Sequence, residues 1–98
     1  MAPRAELVQE AEEDLLEAAE FYETQRAGLA RRFLTAVERV VTHAATRPLL
    51  GTPLGGAIRR YLIPGFPYAI IYEADREPVR VLAIAHLRRH PDFWRDRG

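Results

Sequence analysis

The 98-residue sequence contains no cysteine, no serine and no lysine. Without cysteine it has no disulfide, no thiolate nucleophile and no cysteine-based zinc site, a composition that suits a reducing cytoplasm. Without serine, and with no threonine in a Gly-x-Thr-x-Gly setting, it lacks the nucleophile elbow of acyl-transfer hydrolases. The stretch GTPLGG at 51–56 has no lysine–hydroxyl pair and so reads as a surface loop, not a phosphate-binding one. Long apolar runs are missing as well. The least charged stretch, YLIPGFPYAIIY at 61–72, is twelve residues long with two prolines, against the roughly 20 apolar residues that cross a bilayer. We therefore expect no membrane association. The opening MAPRAELVQEAEEDL lacks the apolar core and small-residue cleavage site of a secretory signal, which again points to a cytoplasmic location.

What is present fits one small domain over 1–98, with 48% hydrophobic residues and a formal net charge of zero. The neutral total hides an asymmetry. Residues 1–25 carry one Arg against eight Asp and Glu, whereas 26–66 carry seven Arg against Glu38 alone. All fourteen basic residues are arginine, whose planar fork pairs with carboxylates or phosphates and stacks on aromatic rings.

Periodicity gives the elements. Ala11, Leu15, Ala18, Ala19 and Tyr22 recur at helical spacing within 11–24, with glutamates on the other faces. Gln25 to Gly28 interrupts the pattern. Ala30, Phe33, Leu34, Val37, Val40, Val41 and Ala44 then make a second stripe that ends near Thr46. So short a connection predicts an antiparallel helical hairpin, and Ala5 to Val8 before it is compatible with a short edge strand. The proline- and glycine-rich 47–56 is expected to be loop. Beyond it the period falls to two: strands are predicted over Ile58 to Ile63, Tyr68 to Glu73 and Val79 to His86, with Pro64-Gly65 at the centre of a type II turn. Val79 to His86 is apolar on both faces and should be central. The expected fold is α+β, the hairpin packed on one face of a small, mainly antiparallel sheet of three to four strands.

Few residues offer chemistry. His86, His90 and Asp92 lie close in sequence, but Pro91 disfavours the helical backbone that would aim the two histidines one way, so no metal is expected, and no cofactor. Arg59 and Arg60 are adjacent on a strand and must point to opposite faces of the sheet. HLRRHPDFWRDR at 86–97 interleaves Arg88, Arg89, Arg95 and Arg97 with Phe93 and Trp94. Arginines on one sheet face and at the end of a central strand would make a basic surface suited to nucleic acid or an acidic peptide. Equally, Phe93 and Trp94 could close the core as a lid, with the arginines balancing the acidic helix.

The acidic helix EAEEDLLEAAEFYE, the second helix ARRFLTAVERVV, the strand pair around IRRYLIPGFPYAIIYE and the ending VRVLAIAHLRRHPDFWRDR together resemble the RelE/ParE superfamily of bacterial toxins. The likeness covers nearly the whole chain, and FPYAIIYE followed by VLAIAHLRRHPDFW is its most specific part. It implies a growth-inhibiting toxin of a type II toxin–antitoxin system, held inactive in a hetero-oligomer by a cognate antitoxin from the adjacent gene. It also implies one of two targets, the ribosome with its mRNA or DNA gyrase.

The two activities ask for different residues. Ribosome-dependent endoribonucleases of the superfamily often carry an arginine directly after the tyrosine that opens the middle strand, but here Tyr68 is followed by Ala69. Arg60 matches a basic position on the preceding strand, Arg88 the arginine past the last strand, and Trp94 falls near a C-terminal tyrosine. Indole is a donor only, and arginine stays protonated. A catalytic reading therefore rests on Arg60, His86 and Arg88, with His86 moving the proton. The reading favoured by the residues is ParE-like inhibition of gyrase by binding, through Arg60, Arg88, Arg89, Phe93, Trp94 and Arg95. A third reading is a non-toxic module that only binds antitoxin. For the antitoxin, the basic stretch with Arg26, Arg31, Arg32, Arg39 and Arg47 would attract an acidic tail, with Phe21 or Tyr22 as apolar anchors.

Overall fold

The computed structural model describes residues 4–97. Along the chain come β1 (Ala5–Leu7), α1 (Gln9–Gln25), α2 (Leu29–Thr46), a 3₁₀ turn (Pro48–Leu50), β2 (Thr52–Gly55), β3 (Ile58–Leu62), β4 (Tyr68–Glu73) and β5 (Val79–His86). The sheet order is β1-β5-β4-β3-β2, antiparallel except where β1 runs parallel to β5. The fold is α+β as expected, with the hairpin packed against a mainly antiparallel sheet. No helix among the described residues is long and apolar enough to cross a membrane.

The sheet has five strands, one more than the largest number expected, and the addition is β2. It lies within 47–56, expected to be loop. Its Pro53 and flanking glycines erase the usual strand signals. At an edge, however, only one side of the ladder must be satisfied, which is where proline is tolerated. Pro53 sits opposite Arg59, and the register shifts between Pro53 and Gly55.

The helices bury what their spacing predicts. Ala11, Ala18 and Ala19 of α1 and Phe33, Val37, Val40, Ala44 and Ala45 of α2 are buried; Leu34, counted in the stripe, lies at its flank and is 38% exposed. Between the helices Gly28 takes φ +89°, a left-handed conformation that other residues adopt only at a cost. The Glu23 carboxylate accepts from the Gly28 and Ala30 N–H groups at 3.2 Å, satisfying donors that the start of α2 leaves open.

One end of the helix-covered face is a four-ring cluster. Tyr22, Phe33, Phe66 and Tyr68 meet with centroids 5.1 to 6.1 Å apart, near the separations that favour edge-to-face packing. Phe66 reaches it from the turn at Pro64-Gly65. There Gly65 has φ +86° and the Phe66 N–H bonds the Ile63 carbonyl at 3.3 Å, as a type II turn requires. At the other end the buried Tyr72 hydroxyl donates to the Pro48 carbonyl at 2.7 Å and accepts from the Gly51 N–H at 3.0 Å. A Cβ on Gly51 would stand 2.5 Å from that hydroxyl, so no larger residue fits.

Within β5, an interior strand as expected, the register slips. Ile71 pairs with Ala83 and Tyr72 with Val81, leaving Leu82 as the extra residue of a bulge. The bulge inverts the alternation. Val79 and Val81 before it and Ile84 after it join the helix-side core, while Leu82, Ala83 and Ala85 join Ile71 and Trp94 in a second cluster.

Candidate functional site

The second cluster exists because the chain after β5 folds back over the face that the helices leave open. This tail is a run of tight turns: Arg89, Phe93, Arg95 and Arg97 each donate a backbone N–H to the carbonyl three residues earlier. Two of the turns are fixed by histidine. His86 Nδ1 accepts the Arg88 N–H at 3.0 Å, and His90 Nδ1 accepts the Asp92 N–H at 3.2 Å. In both turns the imidazole Nδ1 acts as the acceptor that closes the loop.

Trp94 is 4% exposed and closes the second cluster, which makes it a support for the edge. Phe93 is half-buried, with the Arg89 guanidinium 3.8 Å and the Arg97 guanidinium 4.9 Å from its ring centre; Arg95 lies 4.6 Å over Trp94. Such contacts hold long cationic side chains against the tail at small cost in solvation. Arg95 also bonds Asp92 at 2.6 Å, and that hydrogen bond draws the Asp92 carboxyl below its ordinary range.

What fastens the tail to the body is Asp14. This carboxylate of α1 has 7% side-chain exposure and accepts from Arg97 at 2.5 Å, with Arg89 at 3.5 Å. It also accepts the Ile84 N–H at 3.1 Å, while Arg97 donates to the Leu82 carbonyl at 3.1 Å. β1 accompanies β5 only as far as Val81. Past that point Asp14 and Arg97 together satisfy an acceptor and a donor on the uncovered edge of β5, the task a neighbouring strand would perform.

The arginines separate by face as strand geometry demands. Arg59 donates to the Leu49 and Gly51 carbonyls at 3.1 and 2.8 Å and braces the turn before β2. Arg60 lies on the opposite face and, with Arg89, His86 and His90, lines a cleft of about 100 Å³ between tail and sheet. Among the described residues the Arg60 and Arg88 guanidinium groups have no hydrogen-bond or ion-pair partner, and both residues are exposed. Of the target-binding set, Arg60, Arg89, Phe93 and Trp94 thus meet at one cleft, with Arg88 and Arg95 exposed on the same tail. His86 also touches Tyr68, centroids 5.0 Å apart.

Of the residues expected to meet an antitoxin, only Phe21 borders the edge, sharing a groove with His86 and Arg89. Arg31, Arg32 and Arg39 are exposed on α2, Phe21 is 54% exposed on α1, and Tyr22 is held in the ring cluster. Among the described residues, no three His, Cys, Asp or Glu side chains are grouped to hold a metal.

Asp14 is not among the candidates the sequence offers, whereas Arg97, named there as one of the arginines balancing the acidic helix, does pair with it. A signal was there: Asp14 stands three residues after Ala11 and four before Ala18, inside the apolar stripe of an otherwise glutamate-rich helix.

The family model describing the ParE toxin of the type II toxin–antitoxin system parDE matches residues 5–91. Among solved structures, the chain is similar to one titled a chromosomal ParDE TA system from P. aeruginosa. The TM-score is 0.62 at 13% identity, over 87% of this chain and 96% of that one. At that identity the likeness concerns the fold. No curated protein matches the sequence.

Proposed function

Because the chain belongs to the ParE toxin family of type II toxin–antitoxin systems, we propose that it arrests growth by binding DNA gyrase, and that a cognate antitoxin holds it inactive. The working surface is the C-terminal edge: Arg60, Arg88, Arg89 and Arg95 supply charge, and Phe93 and Trp94 supply the support that fixes it. Exposed guanidinium groups of this kind speed encounter with an acidic surface and set register more than they add raw affinity. They also make binding sensitive to salt.

One observation carries inhibition by binding over bond cleavage. Both histidines of the edge spend their ring lone pair on a backbone N–H. Using either Nδ1 in proton transfer would give up the hydrogen bond that fixes its turn. Ala69 stands where cleaving members of the superfamily often carry an arginine, which favours binding over cutting. The ribosome-dependent endoribonuclease reading retains one supporting fact, that Arg60 and His86 line the same cleft.

Antitoxin capture is assigned to the helical hairpin. Arg32 and Arg39 are seven residues apart, two turns of α2, and share its outer face with Arg31 close by. An acidic segment that orders on this surface would pair with them, and Phe21 offers an apolar foothold on the neighbouring helix.

Expression of the chain alone in bacterial cells tests the reading. Plasmid DNA should relax while pulse-labelled protein synthesis continues at first, and co-expression of the adjacent gene should abolish both the relaxation and the growth arrest. Immediate loss of synthesis with supercoiling intact would favour the ribosome. Unimpaired growth would favour a non-toxic antitoxin-binding module.

A further inference from the structure

The cleft between tail and sheet is defined by what is small at its floor. Ala69 and Ala85 pair across β4 and β5, and both are buried. Beside them lies Ile71, and across from them stand Pro91, Phe93 and Trp94. Two alanines facing one another, with Ala83 next along the same face, leave space above the strand pair that the tail does not fill.

Its volume of about 100 Å³ decides what fits. An apolar cavity of about 150 Å³ takes up benzene. Two-thirds of that space suits a branched aliphatic side chain better than an aromatic ring or a nucleobase. Charge gives the second constraint. Arg60 and Arg89 line the cleft and no carboxylate does. Arg89 is already engaged by Phe93 and Asp14, whereas the Arg60 guanidinium has no partner among the described residues. An apolar slot beside an unspent arginine matches one kind of occupant.

We propose that this cleft is an anchor pocket for one aliphatic side chain of a protein partner, presented next to a carboxylate that pairs with Arg60. The inference rests on the reading of the target as a protein and names the point at which it is gripped. A buried anchor flanked by a charge pair is the arrangement in which a few interface residues carry most of the affinity.

The probe is 4-methylpentanoate, a branched aliphatic chain ending in a carboxylate, titrated into the full-length protein. The indole N–H resonance of Trp94, the only tryptophan, reports the cleft wall. We expect a saturable shift with a dissociation constant on the order of 1–10 mM, the affinity so small a ligand can reach. Ala69→Leu should abolish the shift by filling the floor. Should that variant not fold, Ala85→Val does the same with less added volume. Arg60→Gln should weaken binding several-fold, and 4-methylpentanol should bind less well than the acid.

A shift that does not saturate by about 50 mM, or that survives in both filled variants, would overturn the proposal. So would tighter binding of uridine monophosphate at the same resonance, since the cleft would then be a nucleotide site. A filled variant that loses the shift yet inhibits gyrase like the wild type also overturns it. Failure of the gyrase reading is separable. Wild-type protein would then leave supercoiling untouched while still giving the saturable shift, which supports the pocket by itself.

Discussion

The two faces of the sheet are covered very differently. One lies under α1 and α2, whose side chains mesh with Ile70, Tyr72, Val79, Val81 and Ile84 and with a four-ring cluster. The other is covered by a short run of turns that buries one tryptophan and is fastened by one carboxylate, Asp14. β4 is apolar on both sides and needs both covers. The thick cover makes the domain stable, and the thin one leaves a cleft and, among the described residues, two exposed arginines without partners, Arg60 and Arg88. Elements with few buried contacts open at lower free energy than the core, so the face covered by the tail should loosen first.

Substitutions in each cover should break this contrast or sharpen it. The largest effect belongs to the helix face: Phe33→Ala removes the ring at the centre of the cluster and should cost about 3–5 kcal/mol. It should be read as one cooperative shift of the urea midpoint for all probes.

Asp14→Ala comes next. It leaves Arg97, 13% exposed, facing a cavity without its carboxylate, at about 2–4 kcal/mol. The loss should fall on the tail. Hydrogen exchange at the Ile84 amide and the Trp94 fluorescence should change first, with the helical signal retained. Trp94→Ala should cost about 2–3 kcal/mol, less than Phe33→Ala, because the tail can undock without unfolding the rest. A loss equal to that of Phe33→Ala would mean that the two faces form one cooperative unit.

Tyr72→Phe should cost about 1–2 kcal/mol, since the Gly51 N–H and Pro48 carbonyl lose a shared buried partner. The same residue bears on alkaline stability. Burial raises the pKa of Tyr22, Tyr68 and Tyr72 above the ordinary 10.0 in the folded protein. Their contribution is complete below pH 10. Above it the unfolded chain releases protons first, so stability falls as pH climbs through the folded values. Denaturant midpoints measured from pH 8 to 11 should show this fall, shallower in Tyr72→Phe. The smallest effect is at the surface: Arg95→Ala should change stability by less than about 0.5 kcal/mol while weakening target binding.

Much of this contrast was legible in the sequence. The helical stripes, the three consecutive strands and the Pro64-Gly65 turn follow from spacing and turn chemistry alone. β2 did not, because Pro53 and its glycines carry no alternation and only the sheet edge makes them a strand. The bulge at Leu82 has no local signature either, since a run apolar on both faces accepts any register. The arginine faces at 59 and 60 were legible from strand parity. The choice between lid and contact for Trp94 was open, because it depends on where the tail lies. That in turn depends on Asp14, a pairing across 83 residues of chain with Arg97.

Supercoiling by purified gyrase, titrated with the chain at fixed salt, tests most directly whether the thinly covered face works by binding. Wild-type protein should inhibit. The double variant Arg60→Glu/Arg88→Glu, melting like the wild type, should need roughly tenfold more protein, the equivalent of about 1.4 kcal/mol. Gyrase left fully active by the wild type, while mRNA is severed on ribosomes and that severing is abolished by a single substitution at Arg60, His86 or Arg88, would contradict the account.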